Sequence, residues 1–99
     1  MVTYEQARET VRRATEPSWP ADSGTYCLDD RRIVQNDEVY VFEFGAREFL
    51  VGGDSSYEYI GALPVVVKAT GELEFWPSPK IGMDPTITAT PNPEPTLDA

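Results

Sequence analysis

Glu38-Val39-Tyr40-Val41-Phe42-Glu43-Phe44 is the stretch that decides the fold. Strict alternation puts Tyr40, Phe42 and Phe44 on one face of a strand and Val39, Val41 and Glu43 on the other. Three large rings on one side need a second layer to cover them. The segment able to do so lies at the start of the chain. Thr3-Tyr4-Glu5-Gln6 fits a capping box, with Thr3 as N-cap and Gln6 at the third helical position, and Val2 and Ala7 take the places of a hydrophobic staple. Tyr4, Ala7, Val11 and Ala14 recur at spacings of three and four, which predicts one apolar stripe on a helix. Glu5–Arg8, Glu9–Arg12 and Glu9–Arg13 support its solvated side. Pro17 and Pro20 end it near Thr15 or Glu16. A helix this short is marginal alone, so it is expected to lie on the aromatic face of the sheet.

The remaining strands are shorter. Tyr26-Cys27-Leu28 and Ile33-Val34, separated by the charged group Asp29–Arg32, read as one interrupted strand or two short ones. Gln35-Asn36-Asp37 reads as a turn. Val65-Val66-Val67-Lys68 and Leu73-Glu74-Phe75-Trp76 flank Ala69-Thr70-Gly71-Glu72, where Gly71 suits the left-handed position of a hairpin connection. The expected fold is therefore α+β: an N-terminal helix packed on an antiparallel sheet of about four strands, spanning residues 1–76. Between Gly45 and Pro64 runs a long connection carrying Gly52-Gly53-Asp54-Ser55-Ser56 together with Phe49, Leu50, Tyr57, Tyr59 and Ile60. So many large apolar groups must pack back onto the sheet or serve a partner. Six of the 23 residues 77–99 are proline. This composition predicts a mobile, partly polyproline-like tail, with Ile81 and Thr86-Ile87-Thr88 as the part able to lie along a sheet edge.

Ninety-nine residues suffice for one small domain and exclude a two-domain enzyme with an interdomain cleft. Seventeen acidic against eight basic residues give a formal charge of −9. Nucleic acid is disfavoured as a partner, because phosphate binding needs clustered Lys and Arg. The only adjacent basic pairs, Arg12–Arg13 and Arg31–Arg32, each have acidic neighbours. Anionic membrane is disfavoured for the same reason. A protein with a basic surface suits the charge. No apolar run approaches the length of a membrane span and no signal-like segment is present, so a cytoplasmic location is expected. Cys27 is the only cysteine. It reads as a small buried thiol, with no disulfide or metal-type spacing.

The sequence contains no histidine. This removes the Ser-His-acid and Cys-His arrangements and the usual proton shuttle at neutral pH. No phosphate-binding GxxxxGK[ST] motif occurs, and Gly52-Gly53-Asp54-Ser55-Ser56 reads as a flexible turn. Glu43 with Glu48, or Glu72 with Glu74, could face a shared ligand, but the plainer reading is charges that keep strand edges soluble. Asp29, Asp30 and Asp37 do not match a calcium loop. The expectation is a protein without catalytic residues, metal or cofactor. Aromatic side chains fit binding better. Phe49, Tyr57, Tyr59 and Trp76 are the candidate apolar contacts, with Glu48, Asp54 and Glu58 as acidic specificity elements. Trp19 and Trp76 also read as plugs at the rim of the core.

The run Val39-Tyr40-Val41-Phe42-Glu43-Phe44, then Glu48-Phe49-Leu50, Gly52-Gly53-Asp54, Tyr57, and Gly61-Ala62-Leu63-Pro64-Val65-Val66-Val67-Lys68-Ala69-Thr70-Gly71-Glu72-Leu73 resembles the immunity protein 35 family. The resemblance covers roughly residues 3–76. It implies a role in bacterial polymorphic toxin systems, binding and neutralising a cognate toxin or enzyme by occlusion. One branch of that family is chaperone-like, which makes a module for extended protein segments the alternative. Neither role brings catalytic residues; Gly61, Pro64 and the Thr70–Gly71 turn are structural positions. The proline-rich ending departs from the family pattern. The assembly is left open by the sequence, a self-paired edge strand giving a homodimer being one form of it.

Overall fold

The capping box forms at the predicted place. Thr3 Oγ1 accepts from the Gln6 amide at 3.1 Å and Gln6 Oε1 accepts from the Thr3 amide at 2.9 Å. In the computed structural model, which describes residues 1–98, this opens helix α1 (Tyr4–Thr15), and the next residue, Glu16, caps its end. Tyr4, Ala7 and Val11 are buried as the stripe requires, but its last member is Thr15, while Ala14 is exposed. The polar side chain can be buried because Thr15 Oγ1 donates to the Val11 carbonyl at 2.8 Å and pairs with Tyr26 Oη at 2.7 Å. A buried hydroxyl with both partners satisfied carries little penalty.

The sheet has five antiparallel strands, one more than expected: β1 (Tyr26–Gln35), β2 (Val39–Ala46), β3 (Leu63–Val67), β4 (Leu73–Trp76) and β5 (Thr88–Pro91), in the order β4-β3-β2-β1-β5. Short helices α2 (Arg47–Leu50) and α3 (Ser78–Gly82) lie in the connections. The helix stripe packs on Leu28, Phe42 and Val66, with Tyr40 and Phe44 at its margins. The Tyr4 ring stacks on Phe42, with centroids 5.2 Å apart, and meets Tyr40 edge-on at 5.6 Å. Burial, helped by nearby Asp30, pushes the Tyr4 hydroxyl up to about 12. Gly71 takes the left-handed conformation (φ +78°) that its hairpin position predicts. The Asn36 side chain accepts from the Glu38 and Val39 amides, which makes the β1–β2 turn. Pairing of β2 with β3 ends at Val41 and Val65. Pro64 comes next and has no N–H to continue it.

The charged group Asp29–Arg32 proves to be an irregularity within one strand. Register with β2 shifts between Asp29 and Val34. Asp30 keeps the parity of Tyr26 and Leu28 on the helix face and is fully buried there, and the irregularity that follows it returns Ile33 to that same face. Its carboxylate accepts from Arg8 Nη1 at 3.1 Å, from the Thr96 amide at 2.8 Å and hydroxyl at 2.5 Å, and from the Leu97 amide at 2.9 Å. The Asn92 side chain donates to the Asp30 carbonyl at 2.7 Å.

These bonds overturn the expectation of a mobile tail. The segment after Pro77 crosses the reverse face of the sheet, where Ile81 and Ile87 pack against the Val39–Val41–Val65 cluster. It then adds β5 to β1 and ends on Asp30. The edge strand lies at Thr88–Pro91, slightly beyond Thr86–Thr88, and Ile81 belongs to α3.

Burial alone would raise the Asp30 carboxyl, but the Thr96 and Leu97 donors and Arg8 together hold it below the usual carboxylate range. The unfolded group titrates near about pH 3.9. The carboxylate's contribution is therefore complete above that value and is lost as pH falls through the lower folded value. Hydrogen exchange should show the Thr96 and Leu97 amides protected at neutral pH and released only below about pH 4. Asp30→Asn should remove this acid step and lower stability by about 1–3 kcal/mol in denaturant unfolding.

Candidate functional site

Helix α1 covers only part of the aromatic face. Beyond its last turn, Trp19, Phe44, Tyr59 and Phe75 line a groove of about 380 Å³ together with Ala14, Thr15, Ser18, Pro20 and Ser23. Each ring comes from a different part of the chain. Phe44 stands on β2, on the same face as Phe42. Phe75 stands on β4, cross-strand from Pro64, and is 51% exposed. Trp19 is held by Nε1–H donation to the Gly24 carbonyl at 2.9 Å and sits edge-on to Tyr26, Phe44 and Tyr59. Tyr59 returns from the long connection to lie on Phe44, with centroids 5.2 Å apart, and is still 49% exposed. Exposed aromatic surface held this firmly offers binding area at small conformational cost.

The connection is positioned by glycines and carboxylates. Gly24 has φ +99°, and a Cβ built there would stand 2.8 Å from the Tyr57 ring and 2.9 Å from Ala46. Glu48 accepts from the Thr25 amide at 2.9 Å and from its hydroxyl at 3.2 Å. Chiefly the amide bond holds its carboxyl below the usual range. Asp54 accepts from the Ser56 hydroxyl at 2.7 Å and amide at 3.0 Å, which opens a single turn at Ser55–Tyr57 and lowers its carboxyl likewise.

The candidate residues thus divide. Tyr57, Glu58 and Tyr59 come together with Trp19 and Asp22 around a shallow depression that adjoins the aromatic groove. Half-buried Phe49 lines a small cleft with Glu58, Tyr59 and Gly61. Glu48 and Asp54 are occupied in holding backbone. Trp76 is not brought to the others: it lies on the reverse face, with Lys80 Nζ 4.1 Å from its ring centroid and its Nε1 donating to Glu74. Alternation along β4 separates it from Phe75 by one residue and hence by the thickness of the sheet. The sequence reading missed Phe44 and Phe75 as surface aromatics; the parity of Phe75 with Leu73 was the available signal.

A larger depression of about 510 Å³ lies on the reverse face, lined by Val34, Val41, Leu63 and Ile81, with Asp29, Arg31 and Glu43 among its polar groups. Partial loss of surrounding water at the depression, and then the facing charge of Asp29, pushes the carboxyl of exposed Glu43 up. Arg31 donates through Nε and Nη2 to both oxygens of Asp29, at 2.9 and 2.8 Å. The chain's own Ile81 and Pro91 already form part of this wall. Cys27 is buried, which pushes its thiol up. Among the described residues, no group of three or more His, Cys, Asp or Glu side chains converges as metal ligands, and no helix is long and apolar enough to cross a membrane.

Helix, sheet and groove together define an α+β protein with a structured aromatic surface. Compared with family models, curated proteins and solved structures, the chain gives no match.

Gly24→Ala tests how the groove is held. Its backbone conformation suits glycine almost alone, so the variant should lose about 1–3 kcal/mol in equilibrium unfolding. Tyr57 should become more exposed, measured as faster modification of its ring by a tyrosine-selective reagent.

Proposed function

We propose that this protein works by contact: it binds one partner protein through the Trp19–Phe44–Tyr59–Phe75 groove and blocks that partner's activity by occlusion. The observation that carries this reading is the groove itself, in which half-exposed Tyr59 and Phe75 stand beside two rings packed from other segments. Interfaces draw most of their energy from a few such aromatic anchors. Asp22 and Glu58 lie beside the groove. With a chain charge of −9, they favour a partner with a basic surface. The resemblance of residues 3–76 to the immunity protein 35 family supports a bacterial toxin or enzyme as that partner, met in the cytoplasm.

Under this reading Tyr57, Glu58 and Tyr59 are direct contacts. Phe49, Glu48 and Asp54 act behind them by shaping the connection. Trp76 belongs to a different surface.

The partner obtained by affinity capture from the native host should form a folded 1:1 complex by sedimentation and lose its activity in proportion to added protein. Tyr59→Ala and Phe75→Ala should each weaken that complex by about thirtyfold, as expected for anchors worth about 2 kcal/mol. Their unfolding midpoints should stay within a few degrees of the parent. Unchanged affinity with a large loss of stability would assign these rings to the core. Weak binding to many unfolded chains would favour the chaperone-like alternative.

A further inference from the structure

We propose that the open edge of β4 takes up an extended segment of the partner as an additional antiparallel strand. Its apolar residues would enter the aromatic groove, and its alternate basic residues would face Glu74. This rests on the reading of the groove as the binding surface and adds the kind of segment that surface accepts.

The hydrogen-bond phase of the sheet identifies the free groups. Val67 N–H donates to the Glu72 carbonyl at 2.9 Å, so residues 67 and 72 face each other across the hairpin. Bonding pairs alternate along an antiparallel ladder. With Val65 opposite Glu74 and Leu63 opposite Trp76, the residues directed at β3 are Glu72, Glu74 and Trp76. The N–H and C=O groups of Leu73 and Phe75 therefore point away from the sheet. β4 ends the strand order on this side. Unpaired edges of this kind are where a partner strand adds.

The opposite edge is poorer. The Asn92 amide donates to the Arg31 carbonyl at 3.0 Å, which by the same alternation directs Ala89 and Pro91 outward. Proline has no N–H, so β5 offers one outward donor against two on β4.

The occupant follows from side-chain parity. A strand bonding antiparallel to Leu73 and Phe75 presents the side chains of its bonding residues on the same face as theirs, beside Tyr59 and Trp19. Its intervening residues lie on the face of Glu72 and Glu74. Both carboxylates are exposed. Lys80, four residues beyond β4, is drawn over the Trp76 ring. The complementary pattern is apolar–basic–apolar–basic. A second copy of this chain fits badly, since it would set Glu72 and Glu74 against the same residues and bring together two charges of −9.

The test uses the full chain and a synthetic peptide of alternating lysine and valine, blocked at both ends. Binding should slow exchange of the Leu73 and Phe75 amide protons and leave Ala89 unchanged. Methylating the valine nitrogens removes the donors aimed at β4 and should weaken binding at least about tenfold. Methylating the lysine nitrogens, which point outward, should be tolerated. Glu74→Lys should shift preference toward a glutamate–valine peptide by up to about fivefold.

Equal affinity for the two methylated peptides overturns the inference. So does failure of the lysine–valine peptide to bind at millimolar concentration, or self-association that protects Leu73 and Phe75 without peptide. If Tyr59→Ala abolishes peptide binding while valine methylation does not, strand addition fails and the groove reading stands. If the edge protons are protected but Tyr59→Ala has no effect, strand addition stands and the groove reading fails.

Discussion

A mismatch of width governs this molecule. Helix α1 runs along the sheet from Tyr40, beside Tyr4, to Tyr26, which bonds Thr15 at its last turn. One helix is about 10–12 Å across with its side chains, whereas five strands about 4.8 Å apart are wider, so it leaves Phe44 partly bare and does not reach Phe75 on the β4 edge. Its stripe of Tyr4, Ala7, Val11 and Thr15 is also narrow, and three of the four are small or medium in size. The covered part becomes the core. The uncovered part is finished by Trp19 and Tyr59, which pack on Phe44 without closing over it. The aromatic groove is thus what remains when a small layer meets a larger one.

The reverse face is covered by different means. Val39, Val41 and Val65 have no second helical layer of their own and are covered by Ile81, Ile87 and the ring of Trp76. That covering segment would have little reason to stay in place through two isoleucines alone, given the conformational freedom its ordering removes. Strand β5 and the buried Asp30 carboxylate hold its far end. Arg8 donates to the same carboxylate, so helix, sheet and C-terminal segment meet at one ionised group. Small domains bury a modest fraction of their surface, and here two isoleucines of the C-terminal segment supply the cover for one side of the sheet.

Features set by neighbours in sequence were legible, and those set by distant partners were not. The capping box, the helix end, the Asn36 turn and Gly71 depend on residues within a few positions of one another, and each stands where its spacing predicts. The strand Val39–Phe44 was equally clear, because its alternation has one simple solution. Ala14 and Thr15 were misjudged because apolarity ranks alanine higher, while the Tyr26 hydroxyl that satisfies Thr15 is eleven residues away. Asp30 looked like one of several surface charges; its partners Thr96 and Leu97 lie more than sixty residues later. Proline content suggested a free tail, although proline is well suited to an edge strand that needs few donors. In the candidate site, Tyr57, Glu58 and Tyr59 share one stretch of the apolar-rich connection, and that closeness in sequence is why they come together. Trp76 was grouped with them as a large aromatic, but alternation along β4 sets it on the reverse face.

Pro91 carries a consequence for assembly. A sheet extends into a fibril only if each unit is competent on both flanks, so that every addition regenerates a site for the next. Here Pro91 removes one of the two outward donors of β5, while Leu73 and Phe75 on β4 keep both. Edge-to-edge growth would have to pass through the poorer flank at every step, so a small acidic protein can expose one free edge at lower risk of seeding its own polymer.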